Sequence, residues 1–157
     1  MKPTPPKEKS MPAAQPETIL LVEDDPGHAR LIERNLHRAH ITHEFVTLSD
    51  GQQAVDYLFK EHTYAGATHV MPLLLLLDLN LPGLDGYQVL TRLKADARTR
   101  HIPVIILTTT DAPHEIERCY ALGCNVFVTK PVDYTQYAEA MRALGLFVSI
   151  VQLPRGA

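Results

Sequence analysis

Four short apolar runs in this chain each end in side chains that can do chemistry. Glu23, Asp24 and Asp25 follow the run at 19–22. Asp78 follows the aliphatic run at 73–77, with Asn80 two residues further on. Thr108, Thr109 and Thr110 follow the run at 104–107, and Lys130 and Pro131 follow the run at 125–129. Carboxylates held close together raise one another's pKa unless a cation lies among them. Carboxylate oxygens are also the donor set of a hard divalent ion such as Mg2+, which keeps several waters besides. A lysine brings a compact positive charge, and a threonine brings a hydroxyl donor. An aspartate with a metal and a lysine beside it suits phosphoryl transfer, in which the protein positions the group and cations neutralise charge on its oxygens. Asp carboxylates serve as phosphoryl acceptors. Taken singly these residues have ordinary uses: Asp25-Pro26 makes a helix start, Asp78 a turn residue, Lys130 a solvated lysine. It is their shared place at strand ends that points to a site.

The rest of the chain must bring those ends together. Between the runs lie segments with apolar residues at helical spacing. These are 29–39 with Leu31, Ile32 and Leu36; 51–60 with Ala54, Val55 and Leu58; 86–95 with Val89, Leu90 and Leu93; 113–122, stopped by Gly123; and 134 to about 150. A further strand falls at 44–48, and 62–70 reads as a loop. Strands this apolar are buried on both faces, which requires a parallel sheet covered by helices on each side. Right-handed crossovers then give a doubly wound α/β fold with five strands in the order 2-1-3-4-5. Ligands of such sheets sit beyond the carboxyl ends of the strands, where Glu23, Asp24, Asp78, Thr108 and Lys130 converge. Asp78, on the central strand, is the expected nucleophile, and Glu23 and Asp24 are expected to hold the metal and its waters.

The 157 residues, 45% of them hydrophobic, suit one domain with a real core. Residues 1–16, with Pro3, Pro5, Pro6, Pro12 and Pro16, read as a disordered tail. Residues 17–150 read as the domain and 151–157 as a C-terminal tail. A net charge of −3 without a basic stripe argues against nucleic acid as a partner. The longest apolar run is too short to cross a bilayer, and the N-terminus has no signal core. Cys119 and Cys124 lack metal-ligand company and read as free thiols of a reducing compartment. The expected location is therefore the cytoplasm. The eight histidines, among them His28, His37, His40 and His43, show no ligand spacing.

With these residues in place, the chain resembles the response-regulator receiver family, typified by the bacterial chemotaxis regulator. The resemblance rests on LVED at 21–24, LLDLNLPGLDG at 76–86, ILTT at 106–109 and FVTKP at 127–131. It implies that Asp78 is the phosphoacceptor and that Glu23 and Asp24 are the acidic pair. Asn80 then offers its backbone carbonyl to Mg2+, Thr108 is the switch hydroxyl, Phe127 is the switch aromatic, and Lys130 binds a phosphoryl oxygen. It also implies a cis Lys130-Pro131 bond. The long loop at 62–71, the DLNLP turn, the TTT run and the leftover tail resemble the small regulators paired with bacterial phytochrome kinases. That likeness implies a red-light-sensing histidine kinase as phosphodonor.

Three positions depart from the commoner pattern. Glu23 replaces Asp and lengthens the reach to the metal. Phe127 lacks a tyrosine's hydroxyl, so no hydrogen bond locks it inward. Thr109 is bulkier than usual and is expected to narrow the path of attacking water. Thr109→Ala should therefore shorten the acyl-phosphate lifetime, and equal lifetimes would reject that role. On phosphorylation Thr108 and Lys130 are drawn to the new charge, Phe127 moves into the space opened, and the face of the fourth helix, fifth strand and fifth helix changes. The residues beyond the domain are too few for a DNA-binding unit, so the expected output is contact with a downstream protein, with no attached output domain. Leu144, Leu146, Phe147 and Ile150, then Val151 and Leu153, are apolar enough to suggest a homodimer through that face and the tail. The chain is read as no enzyme beyond its own phosphoryl transfer and slow autodephosphorylation. A haloacid dehalogenase-class phosphatase would need Asp where Asn80 stands. A flavodoxin-like binding module would need a phosphate-cradling loop after the first strand, where Glu23, Asp24 and Asp25 repel phosphate. A phosphate sink or scaffold in the same phosphorelay keeps the same residues.

Overall fold

A computed structural model describes residues 17–131 and 133–150, without the side chains of Tyr134, Ser149 and Ile150. The two tails read at 1–16 and 151–157 lie outside the described residues. The strands are β1 (Thr18–Val22), β2 (Glu44–Leu48), β3 (Leu74–Asp78), β4 (Val104–Thr108) and β5 (Val126–Thr129). The helices are α1 (Pro26–Arg38), α2 (Gly51–Phe59), α3 (Gly86–Ala95), α4 (Pro113–Ala121) and α5 (Tyr134–Ile150). The expected loop after α2 contains one 3-10 turn at His62–Tyr64. All neighbouring strands are parallel, in the order β2-β1-β3-β4-β5.

Alternation along the central strands accounts for the layers. Ile19, Leu21, Leu74, Leu76, Ile105 and Leu107 face one side, against Leu31, Ile32 and Leu36 of α1 and Tyr137, Met141, Leu144 and Val148 of α5. Leu20, Val22, Leu75, Leu77, Val104 and Ile106 face the other, against α2, α3 and α4. Successive strand side chains point to opposite faces, so only strands that are apolar throughout can fill both cores. β1, β3 and β4 are buried at every position.

The loops beyond the strand ends are fixed by local chemistry. Asp25 caps α1, its carboxylate accepting from the backbone N–H groups of Gly27 and His28, with Pro26 opening the helix. Asp85 and Gln88 form a reciprocal capping box at the start of α3. Gly86 lies so close to the end of β3 that a Cβ there would stand 2.4 Å from the Asp78 carbonyl oxygen and 2.6 Å from Leu79 Cα. The Gly86 N–H also donates to the Leu79 carbonyl at 3.0 Å. The β3–α3 loop is thereby folded tightly back on the strand that carries Asp78.

Candidate functional site

Register sets the height of each functional residue. Val22 pairs with Leu77, Asp78 with Leu107, and Thr108 with Thr129. Glu23 therefore stands level with Asp78, Thr108 one residue beyond that level and Lys130 two, all at the carboxyl edge of the sheet. The Lys130 N–H donates to the Thr108 carbonyl at 2.6 Å and holds the lysine against β4 after β5 has ended. Glu23, Asp78 and Lys130 are each at most 6% exposed, and Thr108 is fully buried.

The Lys130 ammonium sits between two carboxylates, donating to Glu23 Oε1 at 2.8 Å and Asp78 Oδ2 at 3.0 Å. The other Asp78 oxygen, Oδ1, accepts the Asn80 backbone N–H at 3.0 Å. The Asn80 side-chain amide reaches Thr108 Oγ1 at 3.4 Å. Oxygens of Glu23, Asp24 and Asp78 lie within 4.8 Å of one another, with Asp24 on the exposed side. Glu23 Oε2 is buried without a hydrogen-bond partner. A buried carboxylate oxygen left in that state is costly. An all-oxygen set with one such orphan suits a hard divalent cation. Burial, with the neighbouring Asp78 second, pushes the Glu23 carboxyl up to about 8, against the pull of the Lys130 ammonium.

The structure thus gathers every residue expected at the strand ends: Glu23, Asp24, Asp78, Asn80, Thr108 and Lys130. Phe127 is half-buried on β5 against the core beneath α4, and its backbone N–H donates to the Tyr120 hydroxyl at 3.1 Å. Thr109 is exposed beside Thr108. One expectation is corrected: no cis peptide bond occurs among the described residues, so Lys130-Pro131 is trans. The trans form is the intrinsic preference of an X-Pro bond by about 0.5–1 kcal/mol, and here the lysine reaches both carboxylates from it. Sequence reasoning also missed His28. Its Nδ1 lies 3.0 Å from Glu23 Oε1, and its ring stacks on Tyr137 of α5 at 4.7 Å between centroids. The signal available was position: the first turn of a helix capped by Asp25 must overlie the end of β1.

A model of the response regulator receiver domain matches residues 19–142. The response regulator Rcp1 of Synechocystis sp. is 38% identical over 140 residues, covering 88% of this chain and 94% of that protein. The crystal structure of a Mn2+-bound form of response regulator Rcp1 is similar with a TM-score of 0.81 at 33% identity, covering 89% of this chain and all of that one. A receiver domain from Rhodospirillum rubrum gives a TM-score of 0.78 at 49% identity over 87% of this chain and 96% of its own. The phosphorylated cyanobacterial phytochrome response regulator RcpA gives 0.80 at 37% identity over 90% of this chain and all of its own.

Proposed function

The chain belongs to the response regulator receiver family, and on that premise we propose that it accepts a phosphoryl group from a histidine kinase on Asp78, with Mg2+ held by Glu23, Asp24, Asp78 and the Asn80 carbonyl. The carrying observation is the Asp78 carboxylate, buried at the end of the central strand and fixed by Asn80 N–H and Lys130 Nζ, with a second buried carboxylate beside it. An Asp78 oxygen attacks phosphorus, the bond from phosphorus to the donor imidazole breaks, and the electron pair leaves with that imidazole. Bound Mg2+ supplies positive charge that offsets the carboxylates and the phosphoryl oxygens. Lys130 exchanges its bond to Asp78 for one to a phosphoryl oxygen, and Thr108 turns its hydroxyl from Asn80 to the same group. Phe127 then moves toward the vacated space, and the face of α4, β5 and α5 changes for a downstream protein. No separate substrate is turned over; the chain's own chemistry is phosphoryl acceptance and slow autodephosphorylation. The test is intact mass after incubation with acetyl phosphate. One phosphoryl group should appear with Mg2+ and none after chelation; uptake indifferent to Mg2+ would reject the metal's part.

The likeness to the cyanobacterial phytochrome response regulator RcpA supports a kinase of the phytochrome type as donor. No helix among the described residues is long and apolar enough to cross a membrane. Cys119 and Cys124, both free, support action in the cytoplasm. A homodimer through α4, β5 and α5 is supported by Tyr120 and Phe147, which are 49% and 39% exposed, while Leu144 and Val148 are spent on the core. The expected result of a mass measurement in micromolar solution is two chains; a single chain rejects this interface.

The raised Glu23 carboxyl gives the metal a pH signature. Its folded pKa of about 8 stands above the ordinary 4.5. The neutral form's contribution is full below 4.5 and is lost as pH rises through about 8. Mg2+ binds the ionised form and offsets that loss. The gain in melting temperature from Mg2+ should therefore grow as pH is raised toward 8 and level off above it. A gain flat across that window would remove Glu23 from the ligands.

A further inference from the structure

The phosphoacceptor reading uses one side of Glu23 and leaves unexplained what holds the other. Glu23 Oε1 carries two contacts, Lys130 Nζ at 2.8 Å and His28 Nδ1 at 3.0 Å, while Oε2 carries none. When Lys130 exchanges its Asp78 contact for a phosphoryl oxygen, His28 still holds Oε1. An ionised carboxylate can only accept, so Nδ1 must then be the protonated ring nitrogen. The partly exposed ring is backed on one face. It lies nearly parallel to the Tyr137 ring, 24° between planes and 4.7 Å between centroids. Tyr137 is itself buried on α5, and its hydroxyl has no hydrogen-bond partner. The other nitrogen, Nε2, stands 4.0 Å from Asp25 Oδ2. His28 therefore joins the end of β1 to α5 from the first turn of α1.

We propose that His28 is a positioning residue: its Nδ1–H fixes the Glu23 side chain so that Oε2 faces the divalent-cation site, and Tyr137 of α5 fixes the histidine ring. This rests on the reading of Glu23, Asp24 and Asp78 as the metal ligands. A partner hydrogen-bonded to a metal-binding carboxylate typically changes metal affinity by about 10–100-fold when removed. The contact also makes α5 part of the metal site's support, so that a shift of α5 on docking would alter cation affinity, and the reverse by reciprocity.

The test is Mg2+ titration by calorimetry on the full chain, with folding of each variant checked by circular dichroism. His28→Phe keeps a ring over Tyr137 and lacks the donor. His28→Asn keeps an amide N–H close to the place of Nδ1 and lacks the ring. His28→Phe should weaken Mg2+ binding by roughly tenfold, and His28→Asn should recover most of that loss. Phosphoryl uptake from acetyl phosphate should need correspondingly more Mg2+ in His28→Phe and reach the wild-type rate at saturation. Wild-type Mg2+ affinity in His28→Phe overturns the proposal, as does a loss in His28→Asn equal to that in His28→Phe. If wild type neither binds Mg2+ nor takes up a phosphoryl group, the metal-site reading fails first and this proposal falls with it.

Discussion

Asp78→Asn, incubated with acetyl phosphate and Mg2+, is expected to keep the mass of the untreated chain while the wild type gains one phosphoryl group. The substitution changes one atom of a buried side chain that is 6% exposed. The amide oxygen can still accept the Asn80 N–H that now reaches Oδ1. Lys130 keeps Glu23 Oε1 at 2.8 Å, so the ammonium is not left buried and alone, the state that costs most. The fold should survive. What disappears is the nucleophile: an amide has no anionic oxygen to attack phosphorus. Loss should therefore be complete rather than graded, unlike the shifts expected from Thr109 or His28 variants. Mg2+ binding should also weaken, because one of three clustered carboxylates has lost its charge. Uptake of a phosphoryl group by Asp78→Asn at the wild-type level would move the acceptor elsewhere, with Asp24, the exposed member of the cluster, as the first alternative.

Gly86→Ala should cost about 1–3 kcal/mol of stability for a single added methyl group, the usual cost of overpacking. The new Cβ would stand 2.4 Å from the Asp78 carbonyl oxygen and 2.6 Å from Leu79 Cα, both backbone atoms that no rotamer change can move aside. Relief requires α3 to lift from the end of β3. α3 is anchored there by Val89, Leu90 and Leu93, all essentially buried, and by the Asp85–Gln88 capping box. The strain falls on the strand end that carries the acceptor, so phosphoryl uptake should slow along with the loss of stability. Urea unfolding checks the first effect and acetyl-phosphate kinetics the second. A midpoint within error of wild type would mean that the β3–α3 loop yields far more easily than its hydrogen bonds suggest. Gly51→Ala is a companion test on the other side of the same loop, since a Cβ there would meet the Leu84 carbonyl oxygen at 1.9 Å.

The layer plan and the convergence of Glu23, Asp78, Thr108 and Lys130 were legible in the residues themselves. Short apolar runs without alternation read as strands buried on both faces, and the segments between them carry helical spacing. A parallel sheet then has one carboxyl edge, so Glu23, Asp78, Thr108 and Lys130 had to share it, in keeping with the register. Asp25-Pro26 as a helix start was equally local, and the capping bonds bear it out. The contacts within the site were not legible. Lys130 and Glu23 are 107 positions apart, and no pattern in either segment says that one ammonium bridges two carboxylates or that one carboxylate oxygen is left without a partner. His28 showed only a polar residue near a helix start; that its ring lies between Glu23 and Tyr137 depends on α1 and α5 packing side by side. The trans Lys130-Pro131 bond and the closeness of Gly86 to Asp78 belong to the same class. Composition and periodicity report which environment each residue needs, and so determine strands, faces and the edge where chemistry gathers. Which donor meets which acceptor is decided by distances between segments far apart in the chain, and only the packed tertiary structure sets those.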